Sequence, residues 1–139
     1  MAKAKYSIEQ EMIFKENIRL LRLIFEHMDC YVSYSYILEN ADIKINLKRL
    51  QRLCSPTLRE ERLNENDVKC ISSGLQKAVE DSFKWSCHEE WVLPENFKIE
   101  PEKMLQPGYA GDILKLFDQP GVYPNAKVVY ESYLEMMRG

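Results

Sequence analysis

The stretch KINLKRLQRLC, residues 44–54, predicts a short helix with one apolar and one polar face. Its apolar face consists of leucines at every third position, Leu47, Leu50 and Leu53, a spacing that keeps side chains on one side of a helix. Its polar face consists of four long side chains that donate hydrogen bonds, Lys48, Arg49, Gln51 and Arg52. Such a helix is either the solvated face of an ordinary core helix or a basic surface that contacts a ligand.

The ends of this helix, and a second short helix before it, are also marked in the sequence. Asn46 is a favourable N-cap, and Ser55-Pro56 ends the helix because the residue before a proline disfavours helical geometry. Upstream, residues 34–41 predict a short helix capped by Ser33. Between the two helices we expect a tight turn in which Asp42 takes a left-handed conformation.

Two longer helices are predicted on either side of this pair. The first begins after Ser7, where S-I-E-Q fits a capping box with Gln10, and runs for about 20 residues. Its apolar stripe is Phe14, Ile18, Leu21, Phe25 and Met28. The other begins at an Asn64 cap with Asp67 in its first turn. Its stripe is Val68, Ile71, Leu75, Ala78 and Val79. We expect the three leucines of residues 44–54 to be buried beneath Phe14, Ile18 and Leu21.

The composition is that of an ordinary globular protein. Of the 139 residues, 45% are apolar and 29% are charged. The chain has no run approaching the roughly 20 apolar residues of a membrane span, and its first residues lack the apolar core of a signal peptide. The four cysteines are far apart and form no C-x-x-C pair, which favours reduced thiols. These features predict a cytoplasmic protein that does not contact a membrane.

The charge is distributed unevenly along the chain. Residues 1–62 hold eleven Lys/Arg and nine Asp/Glu, a net charge of +2, whereas residues 63–139 have a net charge of −5. From Lys44 to Arg62, six basic residues face only two acids, a local net charge of +4. A polyanion would respond to this local charge, because charges more than about 10 Å away are largely screened at moderate salt.

The order of a long helix, a short helix, a turn, a short basic helix and a capped helix resembles the helix-turn-helix domains of the Cro and lambda-repressor family, over residues 14–80. The matching residues are Ile37 and Ala41 in the supporting helix, Ile43 after the turn, and residues 46–53 as the groove-entering helix. The resemblance implies an all-α fold with a four-helix helix-turn-helix core in residues 1–83. Residues 84–139 would form an aromatic connector and a C-terminal helical extension.

The resemblance also implies a function, that of a sequence-specific DNA-binding transcriptional regulator of the phage or mobile-element repressor type. The residues placed to contact base edges of double-stranded DNA would be Asn46, Lys48, Arg49, Gln51 and Arg52. The residues placed to contact phosphates would be Ser33, Ser35, Lys44, Arg59 and Arg62. A single module of this kind rarely gives enough specificity, so we expect a homodimer on a two-fold operator.

The C-terminal half offers candidate surfaces for that dimer. The aromatic connector from residue 84 either packs on the helical core or contributes to an interface, and the sequence F-K-I-E gives at most one short strand. A short helix is predicted over 110–118, with Ile113, Leu114 and Phe117 on one face. A last helix is predicted over 125–138, and it either dimerises or docks on its own domain. Its candidate dimer residues are Val129, Tyr130, Tyr133, Leu134 and Met137.

The chain shows no pattern that predicts an enzyme. It has no G-x-S-x-G, no phosphate-binding glycine loop and no H-E-x-x-H, and Cys87-His88 beside Glu89-Glu90 is the only grouping of a nucleophile with a base and acids. We therefore predict no catalysis, no cofactor and no metal. The alternative to DNA binding is a small helical inhibitor or adaptor, for example a phage protein acting on a host protein. Its acidic C-terminal half would suit a partner with a basic surface.

Overall fold

The computed structural model describes residues 6–55, 62–85 and 93–117, together with 128, 131, 132, 134 and 135. Within this part of the chain the fold is all-α, as predicted, and contains no β-strand. The helices are α1 Ile8–His27, α2 Tyr34–Asn40, α3 Leu47–Leu53, α4 Glu65–Trp85 and α5 Tyr109–Lys115, with a 3₁₀ helix at Pro101–Leu105 before α5.

Both long helices begin with reciprocal capping hydrogen bonds. At α1 the Gln10 amide N–H donates to Ser7 Oγ over 3.1 Å, and the Ser7 N–H donates to Gln10 Oε1 over 2.9 Å. At α4 the Asp67 N–H donates to Asn64 Oδ1 over 2.9 Å, and the Asn64 N–H donates to Asp67 Oδ2 over 2.8 Å. Each cap satisfies amide groups that have no partner inside the helix. The predicted starts of both helices are confirmed.

The predicted apolar stripes of α1 and α4 are buried together in one hydrophobic core. Leu50 and Leu53 of α3 belong to that core and are each 1% exposed. Leu47, in the first turn of α3, is only partly buried. The predicted burial of the three leucines is therefore right for two of them and wrong for Leu47.

Helices α2 and α4 approach each other closely at a glycine. A Cβ atom built on Gly74 would lie 2.1 Å from the carbonyl oxygen of Ile37 and 2.8 Å from its side chain. No side chain tolerates that distance to a backbone atom, so the close packing of these two helices requires glycine at this position.

The connection between α2 and α3 spans residues 41–46 and is anchored on α4. The Asp42 N–H donates to Ser73 Oγ over 3.2 Å, and the Asp42 carboxylate pairs with Lys77. Among the described non-glycine residues, the only positive φ belongs to Asp29, at 65°. The predicted left-handed conformation of Asp42 is therefore wrong, because six linking residues close the connection without a tight turn.

Residues 97–100 are extended, but side chains rather than a neighbouring strand pair with their backbone. Gln76 of α4 donates to the Phe97 carbonyl over 3.2 Å and accepts from the Ile99 N–H over 2.7 Å. The Tyr109 hydroxyl donates to the Lys98 carbonyl over 3.2 Å and accepts from the Glu100 N–H over 2.9 Å. The segment thus satisfies its buried backbone groups without a sheet.

Among the described aromatic residues of the connector, Phe97 packs inside the chain, which was one of the two predicted alternatives, whereas Trp85 is exposed. The rings of Phe97 and Phe117 lie edge-on to each other at 5.3 Å, and both lie edge-on to Phe25 of α1, at 6.0 and 5.5 Å. The predicted helix at 110–118 is present as α5, and its three apolar residues are buried, namely Ile113, Leu114 and Phe117. Residues 93–117 therefore share the core of the N-terminal helices.

A buried asparagine of α1 fixes this C-terminal segment. Asn17 is 2% exposed. Its Nδ2 donates to the carbonyls of Met104 and Gln106 over 2.9 and 3.0 Å, and its Oδ1 accepts from the Ala110 N–H over 3.1 Å. One side chain therefore satisfies three backbone groups at the junction of the 3₁₀ helix and α5.

Leu134 is the one described residue of the predicted dimer set. It lies in a helical turn, is partly buried and packs against the hydrophobic core of its own chain. At this residue the structure shows the docking alternative for the last helix. The other four members of the set, Val129, Tyr130, Tyr133 and Met137, lie outside the described residues.

Candidate nucleic-acid interface

The solvent-facing side of α3 carries three of the predicted base-reading side chains. Lys48, Gln51 and Arg52 are all exposed. Because they occupy positions i, i+3 and i+4, they lie on one face of the helix. Leu50 and Leu53 anchor the opposite face in the core. The helix therefore presents two cationic groups and one amide to solvent from a rigid support.

Arg49 points inward instead and forms a two-pronged ion pair with Asp67 of α4. Its Nε donates to Asp67 Oδ1 over 2.9 Å, and its Nη2 donates to Asp67 Oδ2 over 2.7 Å and to the Arg62 carbonyl over 3.0 Å. The Asp67 side chain is fully buried, whereas 26% of the Arg49 side chain is exposed. A guanidinium held in this geometry orients α3 against the start of α4.

Arg62, predicted to contact phosphate, is joined to α1. Its Nε donates to Glu11 Oε2 over 2.8 Å, and its Nη2 donates to the Tyr6 carbonyl over 2.8 Å. Glu11 is 6% exposed and also accepts the Leu63 N–H over 2.6 Å. Arg62 and Arg49 together link the segment that enters α4 to two other helices, so both guanidinium groups have roles within the fold.

Three more predicted contacts stabilise the ends of short helices. Ser33 Oγ accepts the Tyr36 N–H at the start of α2, over 3.2 Å. Asn46 Oδ1 accepts the Lys48 N–H at the start of α3, over 2.8 Å. The Lys44 ammonium donates to the carbonyls of Leu38 and Glu39 over 2.9 and 2.6 Å, at the end of α2. These bonds satisfy helix-terminal backbone groups.

Two residues predicted to contact phosphate remain, Ser35 and Arg59. Ser35 is exposed on α2. Arg59 lies outside the described residues. The exposed candidate surface is therefore the outer face of α3, defined by Lys48, Gln51 and Arg52, with Ser35 on the neighbouring helix.

The start of α2 meets the end of α3 at Tyr34 and Cys54, beside Arg22 of α1. The Arg22 guanidinium lies 3.9 Å from the centre of the Tyr34 ring, and its Nε donates to the Val32 carbonyl over 2.8 Å. Burial raises the pKa of the Cys54 thiol to about 12. Burial is also the largest cause of the raised pKa of Tyr34. Both groups therefore stay neutral at physiological pH and act as packing groups.

Sequence reasoning missed the two buried acids that hold the arginines. Asp67 was placed in the first turn of its helix and Glu11 falls within the first predicted helix, and nothing in their spacing distinguishes a buried carboxylate from a solvated one. One signal at Asp67 was available in the sequence, because its carboxylate can accept more hydrogen bonds than the predicted helix cap requires. A carboxylate accepts about four hydrogen bonds, and the cap on Asn64 uses one of them.

A second exposed feature lies where the loop after α1 contacts the end of α4. Tyr31 is 62% exposed and Trp85 is 76% exposed. The Tyr31 N–H donates to Ser82 Oγ over 2.8 Å, and Ser82 is one helical turn before Trp85. This aromatic surface, Tyr31 and Trp85, is the second candidate contact region of the described chain.

Comparisons with protein-family models, curated proteins and solved structures found no match to this chain. In the described residues, no group of three or more His, Cys, Asp and Glu side chains could hold a metal ion. None of the described helices combines the length and the apolar character that crossing a membrane requires.

Proposed function

We propose that this protein binds double-stranded DNA through the outer face of α3. The observation that carries the proposal is the co-alignment of Lys48, Gln51 and Arg52 on the exposed side of a helix whose other side is anchored by Leu50 and Leu53. The major groove of B-DNA admits an α-helix, and helices that read it present three or four such side chains.

The three side chains suit different base edges. Arg donates two hydrogen bonds to O6 and N7 of guanine, Gln pairs with N6 and N7 of adenine, and Lys donates to guanine. The proposed reader set is smaller than the set implied by the family resemblance, because Arg49 is paired with Asp67 and Asn46 caps α3. Arg49 is then a positioning residue that sets the orientation of α3.

The decisive experiment is a salt titration of binding to a random-sequence duplex, followed by fluorescence anisotropy. A protein that neutralises phosphates loses affinity linearly in log salt, with a slope of about −0.9 for each phosphate contact. We expect a steep slope for the parent protein. If the protein fails to bind any duplex at low salt, the DNA-binding proposal is wrong.

Single substitutions then test whether the outer face of α3 is the surface that binds DNA. We expect Arg52→Ala to weaken binding to a selected operator by about 1 to 3 kcal/mol and to relax the preference at particular base pairs. Lys115→Ala is the matched control, because Lys115 lies on α5 and its side chain is 74% exposed. An equal loss in both variants would indicate charge attraction without base reading.

A second candidate function, binding of another protein, is supported by the aromatic surface. Exposed tyrosine and tryptophan side chains are enriched where proteins contact each other. The test is Trp85→Ser, assayed for biological function in cells and for duplex binding in vitro. Loss of function with unchanged DNA affinity would favour the protein-binding role, whereas unchanged function would remove it.

A further inference from the structure

The outward face of α1 carries a stripe of exposed and partly exposed side chains that lies opposite the core. The stripe consists of Ile8, Met12, Glu16, Arg19, Leu23 and His27. Ile8 and Met12 are 48% and 49% exposed, although both are large and apolar. The opposite face of the same helix contributes Phe14, Ile18, Leu21 and Phe25 to the core. The stripe is therefore a second helical face with apolar content, and two of its large apolar side chains are about half exposed.

The spacing of this stripe reads the same in both directions. The intervals between successive members are four, four, three, four and four residues. Intervals of three and four keep side chains on one face of a helix. When a second copy of α1 is laid antiparallel about a two-fold axis between residues 17 and 18, each stripe residue meets another stripe residue at the same height. All six residues of the stripe take part in this matching.

Three kinds of pair meet across this axis, and two of them are chemically complementary, whereas the outermost pair places Ile8 opposite His27 of the second copy. Glu16 lies opposite Arg19 of the second copy, and the two-fold axis repeats this opposite-charge pair. Met12 lies opposite Leu23 of the second copy, which places apolar groups on either side of the charged pairs. Within the described chain neither Glu16 nor Arg19 forms an ion pair. Both charges therefore have capacity for a partner from outside the chain.

We propose that α1 is a homodimer surface, with a second copy of this chain packed antiparallel on the stripe. A C2 interface requires that one patch be complementary to itself, and this stripe meets that requirement in its spacing and in its two inner pairs, Glu16 with Arg19 and Met12 with Leu23. The flanking acids Glu9 and Glu26 lie on opposite edges of the stripe and are exposed, and Glu26 pairs with Arg22 of its own helix. The surface is distinct from the last helix and from the outer face of α3.

The test uses analytical ultracentrifugation of the full chain from micromolar to hundreds of micromolar protein. We expect the parent protein to form a dimer. We expect Glu16→Arg and Arg19→Glu to raise the dimer dissociation constant about tenfold each, because each places like charges opposite each other at two symmetric sites. The double variant Glu16→Arg/Arg19→Glu restores both pairs with reversed polarity, and we expect it to dimerise within about threefold of the parent.

Two further variants test whether the effect is specific to the stripe. Met12→Glu places a charge opposite Leu23 and should also favour the monomer, while circular dichroism checks that the helices are retained. Glu102→Arg reverses an exposed charge on the 3₁₀ helix and should leave the dimer unchanged. A parent that is monomeric at every concentration overturns the proposal. So does a dimer that is insensitive to both single reversals. The experiment contains no DNA, so its outcome is independent of the DNA-binding proposal.

Discussion

Two irregular parts of this molecule are attached to the same pair of long helices by different chemistry. The segment between α3 and α4 is held by charges, with Arg49 on Asp67 and Arg62 on Glu11. The segment over 97–110 is held by neutral groups, in which the Asn17, Gln76 and Tyr109 side chains bond to backbone atoms. Both devices satisfy buried polar groups far apart in the sequence.

The two kinds of attachment differ in how much stability is lost when one partner is removed. A buried carboxylate that loses its cation becomes an uncompensated charge, so the charged device fails sharply when either partner is removed. A neutral side chain leaves unpaired amide groups, each of which costs less. The charged device also lies beside the proposed DNA surface, where its orientation of α3 affects binding. The neutral device only assembles the core.

The largest expected loss of stability follows from removing the ion pair between Arg49 and Asp67. We expect Arg49→Ala to lower the free energy of unfolding by about 3 to 5 kcal/mol, because Asp67 would remain buried without its cation. From the sequence, Arg49 is a solvated polar position whose replacement should barely change stability, and the ion pair with buried Asp67 overturns that expectation. Urea denaturation measures the loss, with Arg52→Ala as a control that should stay within about 0.5 kcal/mol. A loss below about 1 kcal/mol for Arg49→Ala would show that the ion pair contributes little.

The next largest loss of stability is expected from removing the neutral hydrogen bonds of Asn17. We expect Asn17→Ala to lower the free energy of unfolding by about 2 to 4 kcal/mol, since it leaves the Met104 and Gln106 carbonyls and the Ala110 N–H without their partner. Asn66→Ala, at an exposed position of α4, is the matched control and should have little effect. If both variants unfold at the same urea concentration, Asn17 has no special role in docking the C-terminal segment.

A smaller effect is expected where one hydroxyl serves two backbone groups. We expect Tyr109→Phe to cost about 1 to 2 kcal/mol, because the Lys98 carbonyl and the Glu100 N–H lose their bonds while the ring stays packed. Hydrogen exchange at the Glu100 amide should accelerate by more than exchange in α1. Tyr31→Phe, at an exposed tyrosine, provides the comparison. Unchanged exchange at Glu100 would contradict the assignment.

The smallest effect is expected for a charged contact at the surface. Asp42 pairs with Lys77, and the two side chains are 63% and 49% exposed. A double-mutant cycle with Asp42→Ala and Lys77→Ala should give a coupling energy of about 0.2 to 1 kcal/mol that falls as salt is added. A coupling as large as that of Arg49 with Asp67 would break the distinction between buried and exposed charges on which the comparison depends.

The sequence by itself determined the helical class and the starts of the helices. The caps at Ser7, Ser33, Asn46 and Asn64 were all identified from the sequence and are all present. A cap and an apolar stripe act over three or four residues, so neighbouring residues in the chain contain the information. The helix-turn-helix resemblance and the DNA-binding function stay predictions.

Only the tertiary structure decided which polar residues face inward. Arg49 and Arg52 lie on the same predicted polar face, yet one is paired with buried Asp67 and the other is exposed, because the first turn of α4 reaches Arg49 on one side of α3. Asn17 lies outside the predicted apolar stripe of α1, yet it is buried because a segment nearly ninety residues later packs over it. Gly74 carries no local signal at all, since its constraint comes from the Ile37 carbonyl on another helix. Contacts between distant segments depend on how the helices pack, and no pattern within a single helix contains that information.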